Sequence, residues 1–455
     1  MPLIRPPEGA LRILRTLREA GHQALLAGGC VRDGLLGLPS KDWDVVTGAG
    51  PGEVMALFPR TVPVGAQFGV VRVRMPDGEY EVARFRRDDA YADGRRPVAV
   101  HPAGPEEDAR RRDFTINGML YDPMEDRILD AVGGRGDLEA RLIRAIGEPE
   151  ARFGEDHLRM LRAVRFAARL GFGIERGTLA AIRTLAPRIH RTSAERVRDE
   201  LTGMITDGRA SPALQLLLES GLLREVLPEC AAMDGVPQPP EFHPEGDVWT
   251  HVRRMFEMAG APSPALAWAI LLHDAGKPAT RTVTDRIRFN GHAAAGAAMA
   301  ERIAQRLRMP GEEALRIRNL VAHHMRFMNA REMRPSRLKR FLREPFFPEL
   351  LELHRLDCAA SHGDLATHAF CQAKLAEAAA EGLRPPRLLD GHALMAMGFP
   401  QGPLLAEILA ALEDEQLEGR VRTGEEARAF VESRFGRHRA PGAEPGGVDA
   451  AGTPL

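Results

Sequence analysis

A short apolar stretch, Ala24 to Ala27, runs straight into Gly28-Gly29 and then into Cys30-Val31-Arg32-Asp33. No other stretch limits the fold as much. Four apolar residues ahead of a glycine pair read as a buried strand. The glycines let backbone N–H groups come close to an anion, and the start of a helix adds favourable partial charge there. Arg32 is placed to reach the same anion, so Gly29 and Arg32 are candidate phosphate contacts. Next comes Lys41-Asp42-Trp43-Asp44-Val45-Val46. Aspartates two apart on a strand share one face. Their charges repel unless a cation sits with them, and carboxylate oxygens are the ligands Mg²⁺ prefers. Asp42 and Asp44 are therefore expected to hold Mg²⁺, in a pair suited to an in-line phosphoryl displacement. Glu81, in Tyr80-Glu81-Val82, is the candidate third carboxylate.

The 455 residues leave room for about three domains. A helix is expected over Ala10 to Ala20, and strands over Asp44 to Thr47, Val70 to Met75 and Tyr80 to Phe85. Pro76-Asp77-Gly78 turns between the last two. Residues 1–146 thus read as an α+β head. Residues 147–233 read as a helical neck, with apolar positions three or four apart at Leu158, Leu161, Val164 and Ala168. Asp234 to Gly246 is rich in Pro and Gly and reads as a linker. A second helical block spans 243–365, and two or three short helices are expected within 385–436. The Ala/Gly/Pro-rich tail, 437–455, is expected to be disordered.

Charge is balanced overall, 62 basic against 63 acidic residues, so net charge alone recruits no polyanion. Only four of the basic residues are lysines (41, 277, 339 and 374), so 58 are arginines, the side chain suited to bidentate phosphate and base contacts. Between 151 and 200, 11 arginines face 6 acidic residues. This basic neck next to the head is the footprint expected for a nucleic-acid partner. The four cysteines (30, 230, 358 and 371) lie far apart with no CxxC, which suggests neither a disulfide framework nor a zinc site. A reduced, cytoplasmic setting is the simplest reading. The longest apolar run, Ala265 to Leu272, is too short to span a bilayer, and Met1 to Ala10 lacks the apolar core of a signal peptide. No membrane partner is expected.

The pattern Gly-Gly-x-Val-Arg-Asp followed by Lys-Asp-x-Asp resembles the signature of the class II tRNA nucleotidyltransferases and bacterial poly(A) polymerases, within the polymerase-β-like nucleotidyltransferase superfamily. The resemblance continues through Arg111-Arg112-Asp113-Phe114-Thr115-Ile116-Asn117, through Asp130 to Leu138, and through Glu155 to Phe166. It ends with Ser193-Ala194-Glu195-Arg196. Asp156 and Arg159 lie three apart, which on a helix makes them neighbours. An acceptor beside a forked donor could mimic the edge of a base. The resemblance implies that this pair selects the incoming C or A, and that Arg112, Arg162 and Arg165 also contact the nucleotide. The polar segment Arg86 to Pro97 resembles the family's flexible loop at full length, which favours CCA addition. Val64 to Gly69 resembles the tRNA enzymes more than the poly(A) polymerases. The implied partners are tRNA, ATP and CTP, with no DNA expected.

The block after the linker carries His251, His273-Asp274, His292, His323-His324 and Asp357. Imidazole and carboxylate together suit a transition metal that activates water. The set resembles the HD phosphohydrolase superfamily, in which His251, His273, Asp274, His292, His324 and Asp357 would be the ligands of Ni²⁺, Mn²⁺ or Co²⁺. His323 is the other choice at the fifth position. Fusion of such a block to a nucleotidyltransferase resembles the multifunctional CCA proteins of some bacteria, to which 2′,3′-cyclic phosphodiesterase, 2′-nucleotidase and phosphatase activities are credited. The expected fold is therefore α+β: a small polymerase-β-like head, an all-α neck, an HD domain and C-terminal helices. The expected activity is template-independent addition of C, C and A to the tRNA 3′ end. An A-adding or poly(A)-polymerase-like enzyme is the alternative. A phosphohydrolase whose head merely binds nucleotides, and a non-catalytic RNA-binding protein, are the readings from other classes.

Overall fold

A computed structural model describes residues 4–40, 42–65, 69–89, 99–381 and 386–439. The chain forms two compact units, Met1–Gln238 with Gly246–Ile317, and Pro239–Glu245 with Arg318–Leu455.

The first unit opens with helix α1 (Glu8–Glu19), two residues ahead of the expected start. Its period-3.6 apolar face, Ala10, Ile13, Leu14 and Leu17, is fully buried. Strands β1 (Ala24–Ala27), β2 (Asp44–Thr47), β3 (Thr61–Gly65), β4 (Val70–Met75) and β5 (Gly78–Arg84) come next, with α2 (Gly29–Leu35) and α3 (Pro51–Leu57) between them. A hairpin of β6 (Arg86–Asp88) and β7 (Val100–Pro102) leads into α4 (Pro105–Arg110). The segment expected as one long loop is thus partly ladder. Its residues 90–97, like Ala66 to Phe68 and most of the tail, lie outside the described residues. Strands β8 (Leu120–Asp122) and β9 (Arg127–Leu129) complete a seven-stranded sheet of order β3-β4-β5-β2-β1-β8-β9. Within this sheet, among the described residues, only β2 and β5 pair in parallel. β1 is buried along its whole length, as an uninterrupted Ala-Leu-Leu-Ala run requires at the centre of a sheet. β5 alternates, with Tyr80 and Val82 buried and Glu79 and Glu81 exposed. Two registers position the acidic residues. Ala27 pairs with Asp44, and Val45 pairs with Val82.

After the short α5 (Gly134–Glu139), the neck runs through α6 (Pro149–Glu155), α7 (Leu158–Leu170), α8 (Arg176–Leu185) and α9 (Ala194–Thr206). All four expected apolar positions of α7 are buried. The helix ends at Gly171, φ 66°, where the Phe172 N–H reaches back to the Ala167 carbonyl, a turn that needs the left-handed backbone glycine allows. The supposed linker is tied down at both ends. Val248 N–H donates to Val236 O at 3.1 Å, and buried Gln238 accepts from Lys277 Nζ at 2.6 Å. Helices Ala210–Glu219, Val248–Ala259, Pro264–Leu272 and His292–Arg306 are among those that follow in this unit.

The second unit is helical. A 3₁₀ segment, His324–Glu332, precedes helices Pro335–Leu342 and Phe347–Ala360. Then comes Ala366–Glu381, a 16-residue helix for which no element was expected. Three short helices, Gly391–Ala396, Pro403–Leu417 and Gly424–Phe435, pack around Leu394, Phe399, Ile408, Leu412 and Val431. Among the described residues, no helix is long and apolar enough to cross a membrane.

Candidate active sites

The β1–β2 register sets Asp44 beside the end of β1, where Gly28 turns the chain at φ 77°, ψ −134°, a conformation for glycine alone. A Cβ at Gly28 would lie 3.1 Å from Arg112 Nη1 and 3.6 Å from Asp44 Oδ2. The missing side chain is what lets cation, carboxylate and backbone meet. They open onto a cavity of about 530 Å³ within the first unit, lined by eight arginines and five aspartates. Gly29, Arg32, Asp42, Asp44, Arg112, Asp156, Arg159, Arg162 and Arg165 all line it. Nine residues expected from scattered motifs thus line one cavity.

The carboxylates differ from expectation in detail. Strand β2 begins at Asp44, so Asp42 precedes the strand and is exposed. Glu81 lies outside the cavity lining and bridges Arg72 at 3.4 Å. Its charge nevertheless reaches Asp44. Burial, with Glu81 and Asp42 adding repulsion, pushes the Asp44 carboxyl above the usual range, and Arg112 opposes them. Two acids that make the Asp44 charge harder to hold leave a site short of positive charge, as expected for a divalent cation held by oxygen.

The arginines are held by groups to which the motifs gave no role of their own. Arg32 is buried. It donates through Nε to Asp33 Oδ1 at 2.8 Å and through Nη1 to Asn117 Oδ1 at 2.6 Å. Asp113 accepts from Asn117 Nδ2 at 3.0 Å and from Arg162 Nε at 2.9 Å. Burial would raise the Asp113 carboxyl, but the Arg162 charge and the Asn117 hydrogen bond outweigh it and bring it to about 2. Glu200 accepts from Arg165 Nε at 2.6 Å and sits 3.7 Å from Arg162 Nη1. The Cζ atoms of Arg32, Arg162 and Arg165 lie 5.1, 5.1 and 5.0 Å from the centre of one ring, Phe166. One aromatic ring thus gathers three cations that would otherwise spread apart. Phe166 and Glu200 escaped the sequence reading as functional residues. Phe166 adjoins Arg165 and lies one helical turn from Arg162, both of which the motifs did single out.

The pair Asp156/Arg159 does not share a helix. Asp156 has extended backbone, φ −147°, at the break between α6 and α7. It accepts both arms of Arg196, at 3.1 and 2.8 Å. Arg159, on α7, donates to Glu155 at 2.5 Å and to the carbonyls of Arg152 and Arg111. The two still line one cavity, an acceptor and a forked donor, each fixed by a partner of its own.

The second group is built differently. His251 lies buried on Val248–Ala259, with its ring centre 5.5 Å from that of His273. His273 and Asp274 come directly after the helix Pro264–Leu272, and both are buried. His273 Nε2 lies 3.2 Å and Lys277 Nζ 2.7 Å from Asp274 Oδ2, and His292 Nε2 lies 3.6 Å from Asp274 Oδ1. Burial alone would raise the Asp274 carboxyl, but the His273 and Lys277 charges hold it well below the usual carboxylate range. The Nδ1 atoms of His273 and His292 bond to the carbonyls three residues earlier, Ile270 and Phe289, at 2.9 and 2.8 Å. Such bonds fix the ring and leave Nε2 as the ligating nitrogen. Close backbone contact brings His292 in: a Cβ on Gly276 would fall 2.1 Å from the His292 carbonyl oxygen. Nitrogen and oxygen donors in one buried set fit a divalent transition metal. His324 and Asp357 belong to the second unit. There His324 is buried and repeats the pattern, Nδ1 bonding to Val321 O at 2.7 Å, while His323 stacks on Phe346 with ring centres 5.6 Å apart.

Three family models match the chain, and the third runs across the boundary between the two units. Residues 24–144 match the family described as Poly A polymerase head domain, 171–233 the probable RNA and SrmB-binding site of polymerase A, and 247–357 the HD domain. The multifunctional CCA protein of Aromatoleum aromaticum is 38% identical over 376 residues, 79% of this chain and 90% of its own. The CCA-adding enzyme of Geobacillus thermodenitrificans is 46% identical over 221 residues, 48% of this chain. This chain spans about half the length of that relative, 54%. The crystal structure of the Bacillus stearothermophilus CCA-adding enzyme in complex with CTP superposes with a TM-score of 0.73 at 28% identity, over 95% of this chain and 99% of its own.

Proposed function

This chain belongs to the family of multifunctional CCA proteins, and on that premise we propose that it is a CCA tRNA nucleotidyltransferase, adding C, C and A to the tRNA 3′ end from CTP and ATP. The observation that carries the reading is the cavity that Asp42 and Asp44 line together with eight arginines. Asp42 and Asp44, with Glu81 nearby, hold Mg²⁺, which supplies activation of the 3′-hydroxyl and charge neutralisation of the triphosphate when bound. Gly29 and Arg32 bind phosphate oxygens, and Arg112, Arg162 and Arg165 extend that contact along the nucleotide. Asp113 and Glu200 hold the guanidiniums in place before substrate arrives, so less order is lost on binding. Asp156 accepts from and Arg159 donates to the base edge, so the protein itself takes the template's part.

The division into head (1–146), neck (147–233), HD domain (243–365) and C-terminal helices (385–436) fits the family matches over 24–144, 171–233 and 247–357. In the HD domain, His251, His273, Asp274, His292, His324 and Asp357 are the residues that would hold Ni²⁺, Mn²⁺ or Co²⁺, for hydrolysis of a 2′,3′-cyclic phosphate, a 2′-nucleotide or a phosphomonoester. His324 is preferred over His323 because its ring repeats the carbonyl-anchored geometry of His273 and His292. A cytoplasmic setting fits four cysteines that are all free and buried.

The test is incorporation of labelled CTP, then ATP, into tRNA lacking its CCA end. Asp44→Ala should lower both by about a thousandfold or more, as expected when a metal ligand of a phosphoryl-transfer site is lost. Incorporation of ATP alone by the unaltered protein would replace the reading with an A-adding enzyme.

A further inference from the structure

The amide of Gln238 is buried, 4% exposed, and among the described residues its Nε2 meets no hydrogen-bond acceptor. Buried donors are paired as a rule, because an open one bears its full desolvation cost. One that stays open beside a set of metal-binding side chains points to an acceptor on a ligand. The backbone keeps it in place. Asp247 accepts from the Thr250 N–H at 2.8 Å at the start of the His251 helix, and from the Gly235 N–H at 2.5 Å. Val236 O accepts from the Val248 N–H at 3.1 Å. The segment ahead of Gln238 is thereby tied to the helix that carries His251.

The orientation of the amide is set by Lys277, whose Nζ donates to Gln238 Oε1 at 2.6 Å. An ammonium only donates, so it settles which end of the amide faces it: oxygen toward Lys277, nitrogen away. Lys277 itself is not free to turn to a substrate. Its ammonium is shared between Gln238 Oε1, Asp274 Oδ2 at 2.7 Å and the face of Phe289, with Nζ 5.4 Å from the ring centre. An ammonium on the amide oxygen also polarises the amide and makes its N–H groups better donors. Through Asp274, the same lysine ties the amide to the nitrogen and oxygen donors that fit a metal.

Lys277 and Asp274 offset one another in charge. A divalent cation on that donor set leaves the surroundings of Nε2 positive, which favours an anionic oxygen over a neutral one as its acceptor. We propose that Gln238 Nε2 donates to a phosphoryl oxygen of the ester hydrolysed at the HD site, with Lys277 as the positioning residue that orients its amide. The choice of a phosphate ester rests on the hydrolase function proposed above.

The test is titration of inorganic phosphate into the full-length protein loaded with Co²⁺, with Mg²⁺ present to occupy the head, followed by the visible spectrum of the bound cobalt. Gln238→Glu leaves an oxygen for Lys277 and puts a second acceptor where the donor was. Phosphate affinity should fall about tenfold or more, as for a lost hydrogen bond to a charged group. Cobalt content and melting temperature should be kept. Gln238→Met, which removes both ends of the amide, should lose phosphate affinity as well. Phosphate affinity kept in Gln238→Glu would overturn the assignment, whatever Gln238→Met does, because support of Lys277 needs only the oxygen. Absence of any phosphate response in the unaltered protein would overturn it too. A response that Gln238→Glu abolishes, in a protein that hydrolyses none of the proposed esters, would keep Gln238 as a phosphate contact and refute the hydrolase instead.

Discussion

The two proposed metal sites orient their side chains by opposite means. In the nucleotide cavity, distant side chains hold one another: Asn117 links Arg32 to Asp113, Asp113 holds Arg162, and Glu200 holds Arg165. Around Asp274, the imidazoles are fixed locally, each by a carbonyl three residues earlier. The first arrangement exists only once head and neck have folded together. The second is written into the turn that carries each histidine. A cross-linked array suits a large flexible substrate that must be gripped at several points, and a locally fixed set suits one ion gripped at a single point.

The sharpest way to break this contrast is to cross the two sites. His273→Ala should abolish hydrolysis of a 2′,3′-cyclic phosphate, about a thousandfold or more, and leave end addition within a few-fold of normal. Asp44→Ala should do the reverse. Assaying both activities in both variants decides the matter. Loss of end addition in a folded His273→Ala protein would make the HD block part of the transferase.

A smaller effect tests the array itself. Phe166→Leu keeps an apolar side chain but removes the ring beside three guanidiniums. At roughly 0.5–1 kcal/mol for each cation over a ring, and with carboxylates still in place, KM for CTP should rise about 3- to 10-fold. Phe166→Tyr should restore it. An unchanged KM in the leucine variant would reduce Phe166 to packing.

The smallest expected effect concerns acid. The folded carboxyl of Asp113 lies near 2, below its ordinary 3.8. Such a group stabilises the fold above its unfolded value and loses that contribution as pH falls toward the folded one. Roughly 2 kcal/mol should therefore vanish between about pH 4 and pH 2, and denaturant midpoints across that window should fall less steeply in Asp113→Asn. Parallel slopes in both proteins would remove Asp113 from the centre of the array.

Much of this was legible in the chain. The strand before Gly28, the buried stripe of α7 and the three C-terminal helices arise from periodicity and turn residues, which act over a few positions. The site residues on one cavity wall were legible as motifs. Which acid holds which arginine was not: Glu200 is 35 positions from Arg165, and Asp113 is 49 from Arg162. No local pattern pairs charges over such distances. Asp156 was misplaced because the α7 pattern runs smoothly back through it, while its own carboxylate, accepting the Leu158 N–H at 3.1 Å, ends the helix there. The helix Ala366–Glu381 was missed although its alanines, Gln, Lys and Glu are strong helix formers. It lacks a clean apolar stripe, and periodicity was the signal used.

The 3₁₀ segment His324–Glu332 has three residues per turn, so its side chains form three files, one of them the buried His324, Phe327 and Ala330, and the segment behaves like a reading frame. In an α-helix a one-residue deletion rotates the remaining turns by 100°, which falls between rows. Here it rotates the chain by about a third of a circle, one whole file. Deleting Met325 would bring the exposed Met328 onto the buried row in place of Phe327. Length in this stretch is therefore held more tightly than residue identity, and homologous chains should vary here by substitution and not by insertion.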